Sequence, residues 1–419
     1  MGNPEVEVVQ ISVEEAQERA KRDPVNSVVA FNTEAAVEAE KARRRGVEPF
    51  PFGVKDIVHT RGIKTTMGSK LYANFVPKFD ATVVSELKQA GGVMVFKTNT
   101  HELASGATTT SSIFGPTKNP HDPLRISGGS SGGSAAAVGA NLVEVAVGTD
   151  TAGSVRIPAS LCGVYGFKPT SRRISLRGVL PLAPSLDSMG FLASNTKWLS
   201  MLANIFSLRD SGQGWGVRSL RVGVPSWVYW LDKTPEEYAS LVERCTLEFE
   251  RRLDRLGLEW VKVDMEVAER LVWRFFPIVR LAEAARTHLD KKDFWGECFP
   301  DVRRLLEKGL GVSAVDYLNA LASRREVYRE FRRALKRVDV LATPTTSITA
   351  PRISEVLGKE DGNVRAALTH NTVYASYLGL PAISIPGLSV DGLPLGVQLV
   401  GDRDTDKTLI KFAEALSEK

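Results

Sequence analysis

ISGGSSGGSAAAVGANLVEVAVGTDTAGS, residues 126–154, carries two glycine- and serine-rich loops separated by a small-residue stretch and a strand. The first loop, 126–134, runs into AAAVGA, which reads as a small-residue helix. Leu142–Val147 alternates as a strand, GTDTAGS at 148–154 forms the second loop, and VYGFK at 164–168 reads as another strand. A flexible Gly/Ser linker is one reading of the first loop. Against it, the segment lies between strands and a packed helix, where backbone groups must be satisfied and loops tend to carry function.

Toward the N-terminus, Val93–Phe96 reads as a buried strand, preceded by Gly91-Gly92 and by a helix through Val83, Val84 and Leu87 that Asp80 is placed to cap. PFPFGVKDIVHTRG at 49–62 is strand-like around Lys55 and Asp56. Residues 33–45 read as a mostly exposed helix, and Ser12 with Glu15 forms a capping box opening a helix to about Lys21. Toward the C-terminus, SLRVGVPSWVYW is strand-like, 234–257 is amphipathic, LEWVKVDM is a strand, and further helices reach about Lys336. VDVLATPTT is a strand into a turn. Residues 379–401 read as two strands about Asp391-Gly392, before a last helix at 404–418. This alternation predicts α/β layering, and no fixed-period repeat is visible.

The chain has 419 residues, 43% hydrophobic and 25% charged, the balance of a globular protein that needs no staples. Its net charge of +5 permits a nucleic-acid partner without indicating one. Three cysteines predict no disulfide framework and a cytoplasmic location. Five histidines, without HxxxH or HxH spacing and without any CxxC, disfavour a metal site and weaken a histidine-based nucleophile. No apolar run reaches the length of a membrane span. The acidic N-terminus does not read as a signal peptide, and Val6 stands where a myristoylation signal needs Ser or Thr.

With histidine scarce, lysine becomes the candidate base. Lys55 sits in an apolar strand context, where it is either a snorkelling or Asp56-paired residue or a functional one. In GTDTAGS, the N–H groups of Thr151, Ala152, Gly153 and Ser154 are placed to form an anion-binding nest, with the Ser154 hydroxyl beside them, a geometry suited to acyl transfer. A tight turn using Gly153 is the plain alternative. A phosphate cradle is disfavoured because no GK[ST] follows the first loop and GxGxxG is absent.

PFGVKDI, FKTNTHELASG, FGPTKNP, SGGSSGGSAAAVGA, VGTDTAGSVRIPASLCGVYGFKPT and SLDSMG together resemble the amidase signature family, in order and at its spacing. LGLPAISIPG and GLPLGVQLVG resemble its C-terminal strands. The likeness is dense over about 45–192 and looser over 340–419. It implies one domain over 1–419, with a large mixed sheet covered by helices on both sides and a variable, substrate-facing region at about 200–340. It implies hydrolysis of a carboxamide through a Ser–cis-Ser–Lys triad, without cofactor or metal: Ser154 as nucleophile, Ser130 after a cis peptide bond as bridging proton relay, and Lys55 as base. The N–H groups of Thr151, Ala152, Gly153 and Ser154 would form the oxyanion hole, and Ser131 and Arg156 would contact substrate. An unperturbed lysine near pKa 10.4 is neutral about once in a thousand at pH 7, so burial must lower it, with Arg156 as a candidate helper.

The family's GTDTGGS is here GTDTAGS, which keeps every N–H provided Ala152 has negative φ. Ser127 stands where proline is common before GGSSGG. Asp150 and Asp187 read as structural acceptors and Cys162 as core. Trp227, Tyr229, Trp230, Trp273, Phe275 and Phe276 are candidates for an acyl pocket, with plain core packing the competing reading. The resemblance implies a small-molecule amide substrate and no membrane partner, and leaves a homodimer open. It implies first a stand-alone amidase. The alternative is the glutaminase subunit of the Asp/Glu-tRNA(Gln) amidotransferase, which would bring tRNA-linked partner subunits. That subunit typically reads GSIRQP where this chain has GSVRIP, and is usually longer; both points favour the stand-alone enzyme. A non-catalytic anion- or nucleotide-binding module built on the two loops is a third reading.

Overall fold

The computed structural model describes residues 11–210, 220–229 and 235–417. Among the described residues eleven strands run β1 Val28–Phe31, β2 Phe50–Lys55, β3 Gly92–Thr98, β4 Val145–Asp150, β5 Tyr165–Lys168, β6 Ser188–Ala193, β7 Arg221–Pro225, β8 Glu259–Val263, β9 Val340–Pro344, β10 Ala382–Val390 and β11 Leu393–Val400. They form one sheet in the order β1-β3-β2-β4-β6-β5-β10-β11-β9-β7-β8. The β3-β2-β4 and β9-β7-β8 runs are parallel and the other pairings antiparallel, so the sheet is mixed.

The central strands are apolar on both faces because helices cover both. In β4, Val145 and Val147 join the core that also holds Phe50, Phe52 and Val54, while Ala146 faces the other way, onto Ala135–Ala137 of the helix Gly132–Gly139. Small residues let that helix lie close to the sheet. The 220–340 segment contributes β7 and β8 at one edge and the long helices Glu266–Thr287, Pro300–Leu310 and Ala314–Ala334. No helix of the described residues is long and apolar enough to cross a membrane.

Most expected elements form, with two local differences. The strand after AAAVGA starts at Val145 rather than Leu142. Asn141 takes a left-handed φ of 55°, and Leu142 N–H donates to Ala137 O, so these residues close the helix instead. Asp80 does not cap the helix Thr82–Gln89, whose N-cap is Ala81; its carboxylate accepts from Arg61 N at 2.7 Å.

Candidate active site

β2 and β4 are parallel neighbours with Val54 opposite Val147, so Lys55 and the Thr149–Asp150 end of β4 emerge at the same sheet edge. Lys55 is fully buried; its Nζ lies 2.7 Å from Ser130 Oγ and 2.9 Å from Thr149 Oγ1. Ser130 follows a cis peptide bond from Gly129 and precedes the helix Gly132–Gly139. The glycines here are needed for close approach: a Cβ on Gly129 would sit 2.8 Å from the amide nitrogens of Thr108 and Thr109. Ser130 O accepts from Thr100 Oγ1 at 3.0 Å and from His101 N at 3.2 Å, which fixes the turn.

Ser154 lies between β4 and the helix Arg156–Cys162. Ser131 N donates to Ser154 O at 3.1 Å, tying the two glycine loops together. Ser154 is 6% exposed, against 0% for Lys55 and Ser130, so of the three it alone meets the open side. Its hydroxyl has no hydrogen bond among the described residues. Ala152 avoids positive φ, so the alanine in GTDTAGS fits without strain, whereas Gly153 has φ 118°.

Burial pushes the Lys55 ammonium down to about 7, against the opposing pull of Asp150 and Asp187. Burial by itself would raise Asp150, but Arg156, with help from Lys168, holds it at about 2. Asp187 is pushed up to about 6 by burial, although Thr151, Ala183 and Leu182 donate hydrogen bonds to it. Both aspartates thus brace the loops, as expected. Asp150 accepts from Gly153 N, Val155 N, Ser376 Oγ and the guanidinium of Arg156.

Five sequence expectations change. Arg156 is fully buried, donating to Asp150, Ser376 Oγ, Thr372 O and Gln398 Oε1, so it braces the loop and does not face substrate. Nor does it lower Lys55, which burial alone depresses. Ser131 is likewise buried; its Oγ accepts from Thr149 N and donates to Thr149 O, under the end of β4. Gly153 N–H is taken by Asp150 Oδ1 at 2.8 Å. The N–H groups of Thr151, Ala152 and Ser154 keep no partner among the described residues, so three of the four expected donors remain free. Finally, the described aromatic candidates do not line the pocket at Ser154. Trp227 and Phe276 pack in the core against Tyr374 and Tyr377, Trp273 stacks on His370, and Phe275 meets Arg274. The Tyr229 side chain and Trp230 lie outside the described residues. Cys162 is core, its thiol pushed up by burial.

Beside Ser154 is a constricted pocket of about 10 Å³, walled by small residues from 104–107, by Ile157 and Leu182, and by two arginines, Arg280 and Arg365. Sequence reasoning missed both arginines and Thr149. The signal for Arg280 was a lone charge in the apolar run FFPIVRLA; Arg365, in NVRAALTH, stood in no comparable contrast.

A buried lysine on two hydroxyls and a free serine beside unpaired N–H groups thus meet at one end of a mixed α/β sheet. The chain belongs to the amidase signature family, whose model, described as Amidase, matches residues 11–410. It is an enzyme of the class acting on amide C–N bonds. It is 32% identical to a glutamyl-tRNA(Gln) amidotransferase subunit of Archaeoglobus fulgidus, over 97% of this chain and 95% of that protein. A solved amidase structure superposes with a TM-score of 0.84 at 33% identity, covering 97% of this chain and 95% of that one. The corresponding glutamyl-tRNA(Gln) amidotransferase subunit of Thermotoga maritima gives 0.75 at 31%, covering 97% and 94%. Because the chain spans nearly the whole length of these subunits, length does not separate it from them.

Proposed function

We propose that this enzyme cleaves a carboxamide through an acyl-enzyme on Ser154, with Ser130 as relay and Lys55 as base. The observation that carries the reading is Lys55: a fully buried amine, held near pKa 7, at 2.7 Å from a serine hydroxyl on the turn that is tied to Ser154. Ser154 Oγ attacks the amide carbon as its proton passes to Ser130 Oγ and the proton of Ser130 passes to Lys55 Nζ. The N–H groups of Thr151, Ala152 and Ser154 receive the oxyanion, each donor worth on the order of 10²–10³ in rate. Collapse breaks the C–N bond, and the relay runs backward to protonate the departing nitrogen. Water then attacks the ester and frees the carboxylate. A fluorophosphonate should label Ser154, mapped by mass spectrometry, and Ser154→Ala should abolish both labelling and release of ammonia or amine with folding intact. Labelling at another residue would overturn the assignment.

A second reading, the glutaminase subunit of a tRNA-dependent amidotransferase, is supported by the names of the relatives, which favour it over a free-standing amidase. It requires partner subunits. Purification from the native host with two further subunits, and ammonia release from glutamine, would establish it. A lone chain that turns over amides at full rate would exclude it.

A further inference from the structure

The pocket at Ser154 holds charge without a counter-charge. Arg280, on the helix Glu266–Thr287, has no hydrogen bond or ion pair among the described residues, and its buried Nε is unpartnered. Arg365, on the helix Asn363–Thr369, makes a single side-chain hydrogen bond among the described residues, from one guanidinium nitrogen to Ser105 O at 3.2 Å. Burial pulls Arg365 down to about 10, and no carboxylate opposes that pull. Ser105 itself is 2% exposed, and its hydroxyl is also unpartnered. All three residues line the pocket, and no Asp or Glu does.

Arg280 Nε and Ser105 Oγ are buried without partners, and the two part-buried guanidiniums face the pocket with no carboxylate beside them, so an anionic group there would complete them. Guanidinium forks match carboxylates in particular. A substrate ammonium would meet two positive charges and no acid. The free volume, about 10 Å³, is that of a single water, so the pocket suits only the shortest acyl chains.

We propose that this pocket selects short amides whose acyl group ends in a carboxylate and carries no ammonium, with Arg280 and Arg365 receiving the carboxylate and Ser105 Oγ donating to it. This substrate class is monoamides of short dicarboxylic acids. It rests on the hydrolase reading for its placement beside Ser154, and the test separates the two.

Binding is measured calorimetrically on the Ser154→Ala protein, so that turnover is not needed, with matched pairs: malonamate and propanamide, succinamate and butanamide, glutaramate and pentanamide. L-Glutamine is the ammonium-bearing probe. Each charge-assisted hydrogen bond lost should weaken binding about tenfold or more. At least one carboxylate-bearing amide should therefore bind about 10- to 100-fold tighter than its neutral partner, and tighter than glutamine. Arg280→Met and Arg365→Met should each collapse that ratio, while Arg280→Lys and Arg365→Lys restore part of it. Equal binding within every pair overturns the inference, as does glutamine binding as tightly as glutaramate. If the ratio appears but the wild-type protein neither hydrolyses these amides nor reacts with a fluorophosphonate, the hydrolase reading fails and the anion pocket stands.

Discussion

The depressed Lys55 makes a quantitative demand on the pH dependence of acylation. The perturbation is pH itself, and the readout is the second-order rate of Ser154 labelling by a neutral fluorophosphonate, which does not titrate. The base is the neutral amine, so the rate must rise with pH as the ammonium loses its proton. With the folded-state value at about 7, about one-tenth of Lys55 is neutral at pH 6, about half at pH 7 and about nine-tenths at pH 8. The rate at pH 8 should exceed that at pH 6 by about tenfold and then level off. A lysine at its ordinary value near 10.4 would instead give about a hundredfold over the same interval, and about tenfold more from pH 8 to 9. Asp187→Asn removes one of the two negative charges that favour the ammonium, so its limb should move to lower pH. A rate still climbing tenfold per unit beyond pH 9 would refute the lowered Lys55 value, and a rate flat from pH 5.5 to 8.5 would refute lysine as the base.

Lys55→Ala and Ser130→Ala should each lower kcat by several orders of magnitude, and the double variant should be little worse than the worse single, because they act as one relay; additive losses would separate them. Gly153→Ala must fit a Cβ at φ 118° against Thr372 Oγ1, so it should lower both stability and labelling rate, whereas Ala152→Gly should keep the labelling rate within a few-fold. Asp150→Ala leaves the buried Arg156 without its carboxylate and should cost about 3–5 kcal/mol in urea unfolding. In the intact protein, Asp150 sits at about 2, below its ordinary value of 3.8. Its share of stability, about 2 kcal/mol, is therefore present above pH 4 and lost as pH falls toward 2, which acid titration of unfolding will show.

The sheet's buried strands and the two glycine loops were legible because they leave local marks. Buried strands read as apolar runs, and loops forced against neighbouring backbone need residues without side chains. The boundary at Val145 was not legible, since LVEVAV alternates equally well from Leu142 and only the left-handed Asn141 decides the start. Lys55, Ser130 and Ser154 come from three separate stretches, and it is the register of β2 on β4 that places two of those stretches at one edge. The arginines mislead for opposite reasons. Arg156 stands next to the reactive loop in sequence, yet its side chain runs inward to Asp150 and Gln398. Arg280 is 126 residues from Ser154 and reaches the pocket only through helix packing, which no local pattern records.

Burial alone does not explain why Lys55 should be the base, because two other lysines among the described residues are equally buried. Lys97, at about 8, and Lys168, at about 7, are both lowered chiefly by burial. Their partners separate them. Lys97 lies 3.4 Å from Asp56 and donates to Val58 O and Thr65 Oγ1, so a carboxylate holds its proton and its hydroxyl partner leads to no loop of the site. Lys168 donates to Pro169 O, a group with no proton to give. Lys55 has no carboxylate in hydrogen-bond contact and touches two hydroxyls, one of them on the turn bonded to Ser154. A base must be able to shed its own proton and must face a proton it can take. Among the three buried lysines, Lys55 meets both conditions, so its selection follows from hydrogen-bond partners as well as from family resemblance.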